Sequence, residues 1–282
     1  MRWPRRWSLK GTELSVRQRA DELLVCRGLA GSVEEAKRLI MAGCVHTEGR
    51  RIDKAGDLLV ADIGLTVRDG SPYVSRGGLK LAHALEAFST EVTGMTAVDV
   101  GASTGGFTDC LLKAGARRVY AVDVGYGQLA WELRQDERVV VMERTNIRSL
   151  GPADLDPRPE LAVVDLAFVS LTTVLAKVLS LLAGPRRAIA LIKPQFEVDR
   201  ACLDGGVVRQ EADRERAVNA VLAEARRLGF AHREPLVSPI TGADGNIEYL
   251  VELVPDGKAA GEILTSPDPA PKLAKFQGKD DG

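Results

Sequence analysis

Cysteine is scarce and scattered: Cys26, Cys44, Cys110 and Cys202 form no C-x-x-C pair. That spacing argues against a disulfide framework and against a thiolate metal cluster, and it fits a reducing cytoplasm. No metal ligand set is expected. Long clean apolar runs are missing too. The best membrane candidate, residues 161–184, contains Asp165 and Lys177, each costly at a bilayer centre. A strand, a turn and an amphipathic helix account for it better, so no membrane span is expected. The opening Met1-Arg2-Trp3-Pro4-Arg5-Arg6-Trp7 is basic, but no apolar segment follows it, which is not the pattern of a secretory signal. Net charge is nearly absent, at −1 over 282 residues. This hides an asymmetry. Residues 1–80 hold 15 basic and 10 acidic residues, against 23 and 29 in the remainder. A basic module ahead of an acidic one predicts that the first meets a polyanion.

What is present is the balance of a globular chain, 45% hydrophobic and 27% charged, long enough for one large domain or two unequal ones. Residues 14–69 read as a small α+β unit. Leu23, Leu24 and Val25 sit in a first helix stopped near Gly28. Ser32 is placed to cap a second helix, with Glu35 three positions on and Val33, Ala36, Leu39 and Ile40 on one face. Val45, Ile52 and residues 58–60 read as short strands, with Glu48-Gly49 as a tight turn. Residues 70–78 read as a linker and 79–254 as a second domain. Residues 1–13 and about 255–282 are rich in Pro, Gly and charge and read as loose, disordered ends.

From residue 95 strands and helices alternate. Strands are expected at 97–100, 119–124, 139–142, 161–165 and 188–192, with closing strands at 234–237 and 247–254. Helices are expected at 79 onward, 108–113, 129–134, 171–182 and 211–228. Such alternation predicts an α/β fold, a Rossmann-like parallel sheet with helices on both faces.

The sharpest local signal is Val98-Asp99-Val100-Gly101-Ala102-Ser103-Thr104-Gly105-Gly106-Phe107. A buried strand runs into a Gly-rich turn that opens a helix, where glycine lets backbone approach a ligand. The spacing G-x-x-x-G-G departs from the dinucleotide fingerprint G-x-G-x-x-G and favours S-adenosylmethionine over NAD. Asp123 ends the next strand, 22 positions after Gly101, where a carboxylate can accept both ribose hydroxyls. Asn146 and Ile147 follow the third strand, at the place of an adenine base. The expected cofactor set is Asp99, Gly101, Ala102, Ser103, Thr104, Gly105, Gly106, Phe107, Asp123, Asn146, Ile147 and Asp165.

Asp165 ends the fourth strand, Lys193 the fifth, and Glu248 opens the last. Lys80 lies on the helix before the first. All four are expected at the sheet edge that holds the cofactor. Two lysines and two carboxylates suit methyl transfer to a poorly acidic hydroxyl such as a ribose 2′-OH. A lysine lowered in pKa by desolvation and a neighbouring cation accepts the proton.

The chain resembles the TlyA-type family of ribosomal RNA 2′-O-methyltransferases, also known as hemolysins. The resemblance spans about residues 14–254. Its marks are the runs at residues 75–81 (SRGGLKL), 99–109 (DVGASTGGFTD), 164–171 (VDLAFVSL), 191–197 (LIKPQFE), 205–209 (GGVVR), and 238–240 with 245–249 (SPI, GNIEY). It implies an FtsJ-like catalytic domain with the tetrad Lys80, Asp165, Lys193 and Glu248. Lys193 would be the base, Lys80 and Glu248 would hold the ribose, and Asp165 would position Lys193 and the methyl group. It also implies an S4 RNA-binding domain over 14–69, although Val33 stands where that pattern usually has arginine and Glu48 where it has asparagine. The implied partners are ribosomal RNA, at a cytidine, and ribosomal subunits. Arg17, Arg19, Arg27, Lys37, Arg38, Arg50 and Arg51 are expected to meet phosphates, and Arg76 to guide the target strand. A cytoplasmic monomer is expected. Two other readings compete: a membrane-active hemolysin, and a ribosome-binding module without catalysis.

Overall fold

The computed structural model describes residues 17–41, 43–47, 49–67, 72–184, 186–242 and 244–256. The chain divides into two units, Met1–Gly70 and Ser71–Gly282.

The first unit runs β1 (Arg17–Arg19), α1 (Ala20–Cys26), α2 (Val33–Met41), β2 (Val45–His46), β3 (Leu58–Val60) and β4 (Thr66–Val67). Ala20, Leu23, Leu24, Ala36, Ile40, Val45, Ile52 and Leu59 form its core. Ser32 caps α2 as expected, its hydroxyl accepting from the Glu35 amide at 3.1 Å. The Glu35 carboxylate reaches back one residue further than a capping box requires, to the Gly31 amide at 2.6 Å. Two strands escaped the sequence reading. β1 pairs antiparallel with β3, and β4 with β2. At two or three residues each, they are too short to show a period. Ile52 is not in a strand. It is buried, and its amide donates to the Val45 carbonyl at 2.9 Å across the turn. Glu48 and residues 1–13 lie outside the described residues.

The second unit opens with α3 (Gly77–Ala87), two residues inside the expected linker. Then follow β5 (Thr96–Val100), α4 (Gly106–Lys113), β6 (Arg118–Val122), α5 (Trp131–Gln135), β7 (Val139–Met142), β8 (Leu161–Val164), α6 (Leu175–Leu181), β9 (Arg187–Ile192), α7 (Glu211–Arg227), β10 (Phe230–His232), β11 (Leu236–Val237) and β12 (Tyr249–Pro255). The sheet has eight strands in the order β10-β12-β9-β8-β5-β6-β7, with β11 also on β12. β9, β8, β5, β6 and β7 are parallel. β12 is antiparallel to β9, and β10 and β11 are antiparallel to β12. The expected Rossmann-like sheet is present, with five parallel strands; its antiparallel end arises because β10, β11 and β12 follow one another without a crossover helix between them.

Successive strand residues bury on opposite faces. Val98, Val100 and Val164 pack with α6 and α7. Ala97, Val163 and Leu191 pack with α3, α4 and α5. The chain leaves β5 for β6 on one side and returns as β8 on the other. The β5/β8 boundary is thus a topological switch point, and the crevice beyond its carboxyl ends is where such sheets bind ligands. β12 ends at Pro255, inside the stretch expected to begin the loose tail, and residues 257–282 lie outside the described residues.

Candidate active site

Beyond those strand ends lies a cavity of about 450 Å³ lined by Gly101, Ser103, Asp123, Asn146, Ile147, Asp165, Leu166 and Phe168, among others. The size is that of a small-ligand site. The Asp123 carboxylate is fixed from both sides: the Ser103 amide donates to Oδ2 at 2.8 Å and the Gly125 amide to Oδ1 at 2.6 Å. Each oxygen keeps lone pairs for further donors. Asn146 caps a short 3₁₀ turn by accepting from the Arg148 amide at 3.0 Å. Apolar walls come from Ile147, Leu166 and Val174. An anchored carboxylate facing apolar walls fits an adenosine moiety.

Six residues of the expected cofactor set do not line this cavity. Asp99 is fully buried below it, its Oδ2 accepting from the Thr108 hydroxyl at 2.6 Å. Ala102 and Phe107 belong to the core against α3 and α5. A Cβ on Gly105 would stand 2.2 Å from Leu133 Cδ1, and one on Gly106 would stand 2.2 Å from Ser75 Oγ and 2.9 Å from the Gly78 nitrogen. Thr104 uses its carbonyl to accept from the Ala130 amide at 3.1 Å. These residues shape the turn and let α4 meet the start of α3. Gly105 and Gly106 make room for neighbouring protein segments. Gly101 both lines the cavity and makes such room: it sits at φ +89°, and a Cβ there would stand 2.3 Å from the Asp165 carbonyl oxygen.

The Asp99 carboxyl is pushed up to about 7 by burial, with the Thr108 hydrogen bond pulling the other way and the Asp165 charge adding to the rise. A carboxyl raised in the folded state binds its proton more tightly there than in the unfolded chain. Stability is therefore lost as pH rises from about 4 through about 7. Melting temperature should fall across that window, by the equivalent of a few kcal/mol at most. In Asp99→Asn, which can still accept from Thr108, the slope should flatten, and an unchanged slope would place the titration elsewhere.

The four candidate catalytic residues come together as two ion pairs. Lys80, one turn into α3, donates to Glu248, which directly precedes β12; both are buried. Lys193 Nζ lies 2.5 Å from Asp165 Oδ1, at the ends of the neighbouring strands β9 and β8. The pairs share one field, since the Glu248 charge also acts on Lys193. Gly242 makes room for Glu248: a Cβ there would stand 2.5 Å from Oε1. The expected downward shift of Lys193 is not found. Burial pushes the amine down, but the Asp165 charge and hydrogen bond, joined by Glu248, outweigh it and hold the amine above its ordinary range.

Phe168 was not reached from the sequence. Its side chain is 91% exposed, its backbone sits at φ +65°, and its ring lies 5.3 Å from that of Phe196. No hydrophobic period marks such a residue.

Of the expected RNA contacts, several guanidinium groups are already engaged. Arg19 bonds Asp21 at 2.7 and 3.0 Å, Arg51 lies 2.8 Å from Asp53, and Arg50 lies 3.5 Å from Asp57. Arg27 donates to the carbonyls of Ala61 and Ile63. Arg17, Lys37 and Arg38 are exposed on the same unit, and Arg76 is half-buried at the start of α3. Among the described residues no group of three or more His, Cys, Asp or Glu could hold a metal ion, and no helix is long and apolar enough to cross a membrane.

The pattern of FtsJ-like methyltransferases matches residues 73–254. A 16S/23S rRNA (cytidine-2′-O)-methyltransferase of Mycobacterium tuberculosis is 46% identical over 84% of this chain and 90% of its own length. Hemolysin A of Brachyspira hyodysenteriae is 38% identical over 84% of this chain and 99% of its own. A solved structure from Streptococcus thermophilus that bears the hemolysin designation superposes with a TM-score of 0.69 at 41% identity, covering 89% of this chain and 93% of that one. The chain belongs to the FtsJ-like methyltransferase family.

Proposed function

We propose that this chain transfers a methyl group from S-adenosylmethionine to the 2′-hydroxyl of a cytidine in ribosomal RNA. One observation carries the reading: the pairs Lys80–Glu248 and Lys193–Asp165 meet at the sheet edge, and Asp165 also lines the nucleoside-sized cavity. The similarity to rRNA (cytidine-2′-O)-methyltransferases supports the substrate class and the base. A ribose hydroxyl is a weak nucleophile until its proton is accepted, and the tetrad supplies an acceptor.

S-adenosylmethionine supplies the electrophilic methyl group. Asp123 would hold its ribose hydroxyls, and Asn146 and Ile147 would flank its adenine. Lys80, held by Glu248, fixes the acceptor oxygen through its ammonium. Lys193 takes the 2′-OH proton as the oxygen forms its bond to the methyl carbon and the carbon–sulfur bond breaks. Asp165 orients Lys193 and steadies the ammonium that forms. Phe168 offers an open aromatic face at the rim, suited to a base lifted out of its stack. The first unit acts as an S4-type RNA contact through Arg17, Lys37 and Arg38, which adds salt-dependent affinity. All four tetrad residues lie on one chain, so a monomer suffices. Ribosomal subunits as substrates place the work in the cytoplasm.

The raised Lys193 pKa sets a pH dependence. Only the neutral amine accepts a proton, so kcat/KM should climb about tenfold per pH unit through about pH 6–9, with no plateau below the ordinary lysine value of about 10.4. Asp165→Asn removes the charge that holds the proton on. It should lower the maximum and move the bend to lower pH. A wild-type plateau beginning near pH 7 would contradict the assignment of a raised Lys193 as the base.

The reading itself is tested by incubating labelled S-adenosylmethionine with the protein and ribosomal subunits from cells lacking this modification. The product is mapped by primer extension at low nucleotide concentration. A single new 2′-O-methylcytidine is expected. No label on either subunit or on free RNA, with cofactor binding confirmed, would sink it.

A further inference from the structure

β8 and β9 are neighbours in parallel register, and the segments leaving them run on side by side. Three contacts between side chains or through one join those segments. Asp165 pairs with Lys193 at 2.5 Å. The Phe168 and Phe196 rings lie 5.3 Å apart. Glu197 closes the far end: its Oε2 accepts from the Ser170 hydroxyl at 2.6 Å and its Oε1 from the Leu171 amide at 2.7 Å. The first contact belongs to the tetrad. The third has no part in the chemistry described above.

We propose that Glu197 is a positioning residue of the methyl-transfer site, fixing the loop 165–171 so that Phe168 and Asp165 face the substrate. The inference rests on the methyltransferase reading above. Phe168 is held at φ +65° with its ring almost wholly in solvent. A bulky residue keeps such a backbone only where its surroundings impose it. Contacts of the Phe168 side chain alone cannot do so, since it buries so little. The loop must be pinned at its ends. At one end the Asp165 amide donates to the Val100 carbonyl at 3.0 Å. At the other Glu197 takes two donors. Ser170 is bound twice there, because its oxygen also accepts from the Thr172 amide at 3.2 Å and so caps the turn that leads to α6. Glu197 is itself set relative to Lys193. In the turn begun by Pro194, the Phe196 amide donates to the Lys193 carbonyl at 2.9 Å and the Glu197 amide to the Pro194 carbonyl at 3.0 Å. Lys193, Phe196 and Glu197 therefore sit on one short turn.

The test compares Glu197→Ala, Glu197→Gln and Ser170→Ala in the full chain. Glutamine keeps an acceptor for Leu171 and can donate to the Ser170 oxygen, so it preserves the geometry and removes the charge. Glu197→Ala should lower kcat/KM on ribosomal subunits by about tenfold to a hundredfold. S-adenosylmethionine Kd should rise by less than kcat/KM falls, because residues 165–169 form only one wall of the cavity. Glu197→Gln should recover most of the loss, and Ser170→Ala should show a smaller loss of the same kind. Phe168→Ala should cost less in the Glu197→Ala background than in the wild type. A second readout needs no turnover: 4-fluorophenylalanine at position 168 should give one ¹⁹F line in the wild type and Glu197→Gln, and a shifted or broadened line in Glu197→Ala. Wild-type activity in Glu197→Ala, additive losses with Phe168→Ala, or a glutamine variant as poor as alanine would each overturn the proposal. A wild-type chain inactive on every RNA would sink the reading beneath it, and the fluorine lines would still decide whether Glu197 shapes the loop.

Discussion

Lys193→Ala is expected to cut methyl transfer by about 10²- to 10⁴-fold, the usual worth of a positioned general base. The argument starts from geometry. Lys193 follows the buried strand β9 directly, and its amine is held 2.5 Å from Asp165 at the edge where the cavity opens. Removing it deletes the proton acceptor and frees Asp165. Lys193 is not among the residues that line the cavity, although its partner Asp165 is. Loss should therefore fall on kcat, with S-adenosylmethionine binding changed little when followed by calorimetry. Lys193→Arg is the sharper control. It restores a cation beside Asp165, but a guanidinium stays protonated in proteins and cannot take up a proton. If arginine restores activity, Lys193 acts as a cation and not as a base. If alanine loses cofactor binding as well, the residue belongs to the cofactor site.

The sequence made the catalytic end of the fold legible for a physical reason. Buried parallel strands are continuous apolar runs, so a polar residue at the end of one stands out, as Asp165 and Lys193 do after 161–164 and 187–192. Direction is not written in that pattern. Residues 249–255 would read the same in a parallel strand as in the antiparallel β12. Nor does a glycine declare its neighbour. Gly101 lines the cavity, while Gly106 makes room for Ser75. Only the fold, by laying α3 across the start of α4, separates the two. The spacing predicts desolvation and a second cation at Lys193, but it cannot weigh the charges of Asp165 and Glu248, which raise the amine instead. Phe168 and Glu197 were invisible because their roles depend on loop shape.

The largest effect on stability should come from Glu248→Ala. Lys80 and Glu248 are 8% and 2% exposed, far from the ordinary position of such residues. Each is tolerable because the other is present. Truncating the carboxylate leaves an ammonium buried without its anion, a change that costs about 3–5 kcal/mol. In a unit of this size that is a fall of roughly 6–20 °C in melting temperature. Lys80→Met alone leaves the carboxylate uncompensated and should cost a similar amount. The pair Lys80→Met with Glu248→Leu places apolar groups in the same volume and should regain most of the stability, because neither charge is then left alone. It should not regain activity. A double variant as unstable as the singles would mean that the pair contributes net stability. One that folds, binds S-adenosylmethionine and still fails to methylate RNA would show that this buried pair is kept for chemistry, at a site where an apolar core would fold as well.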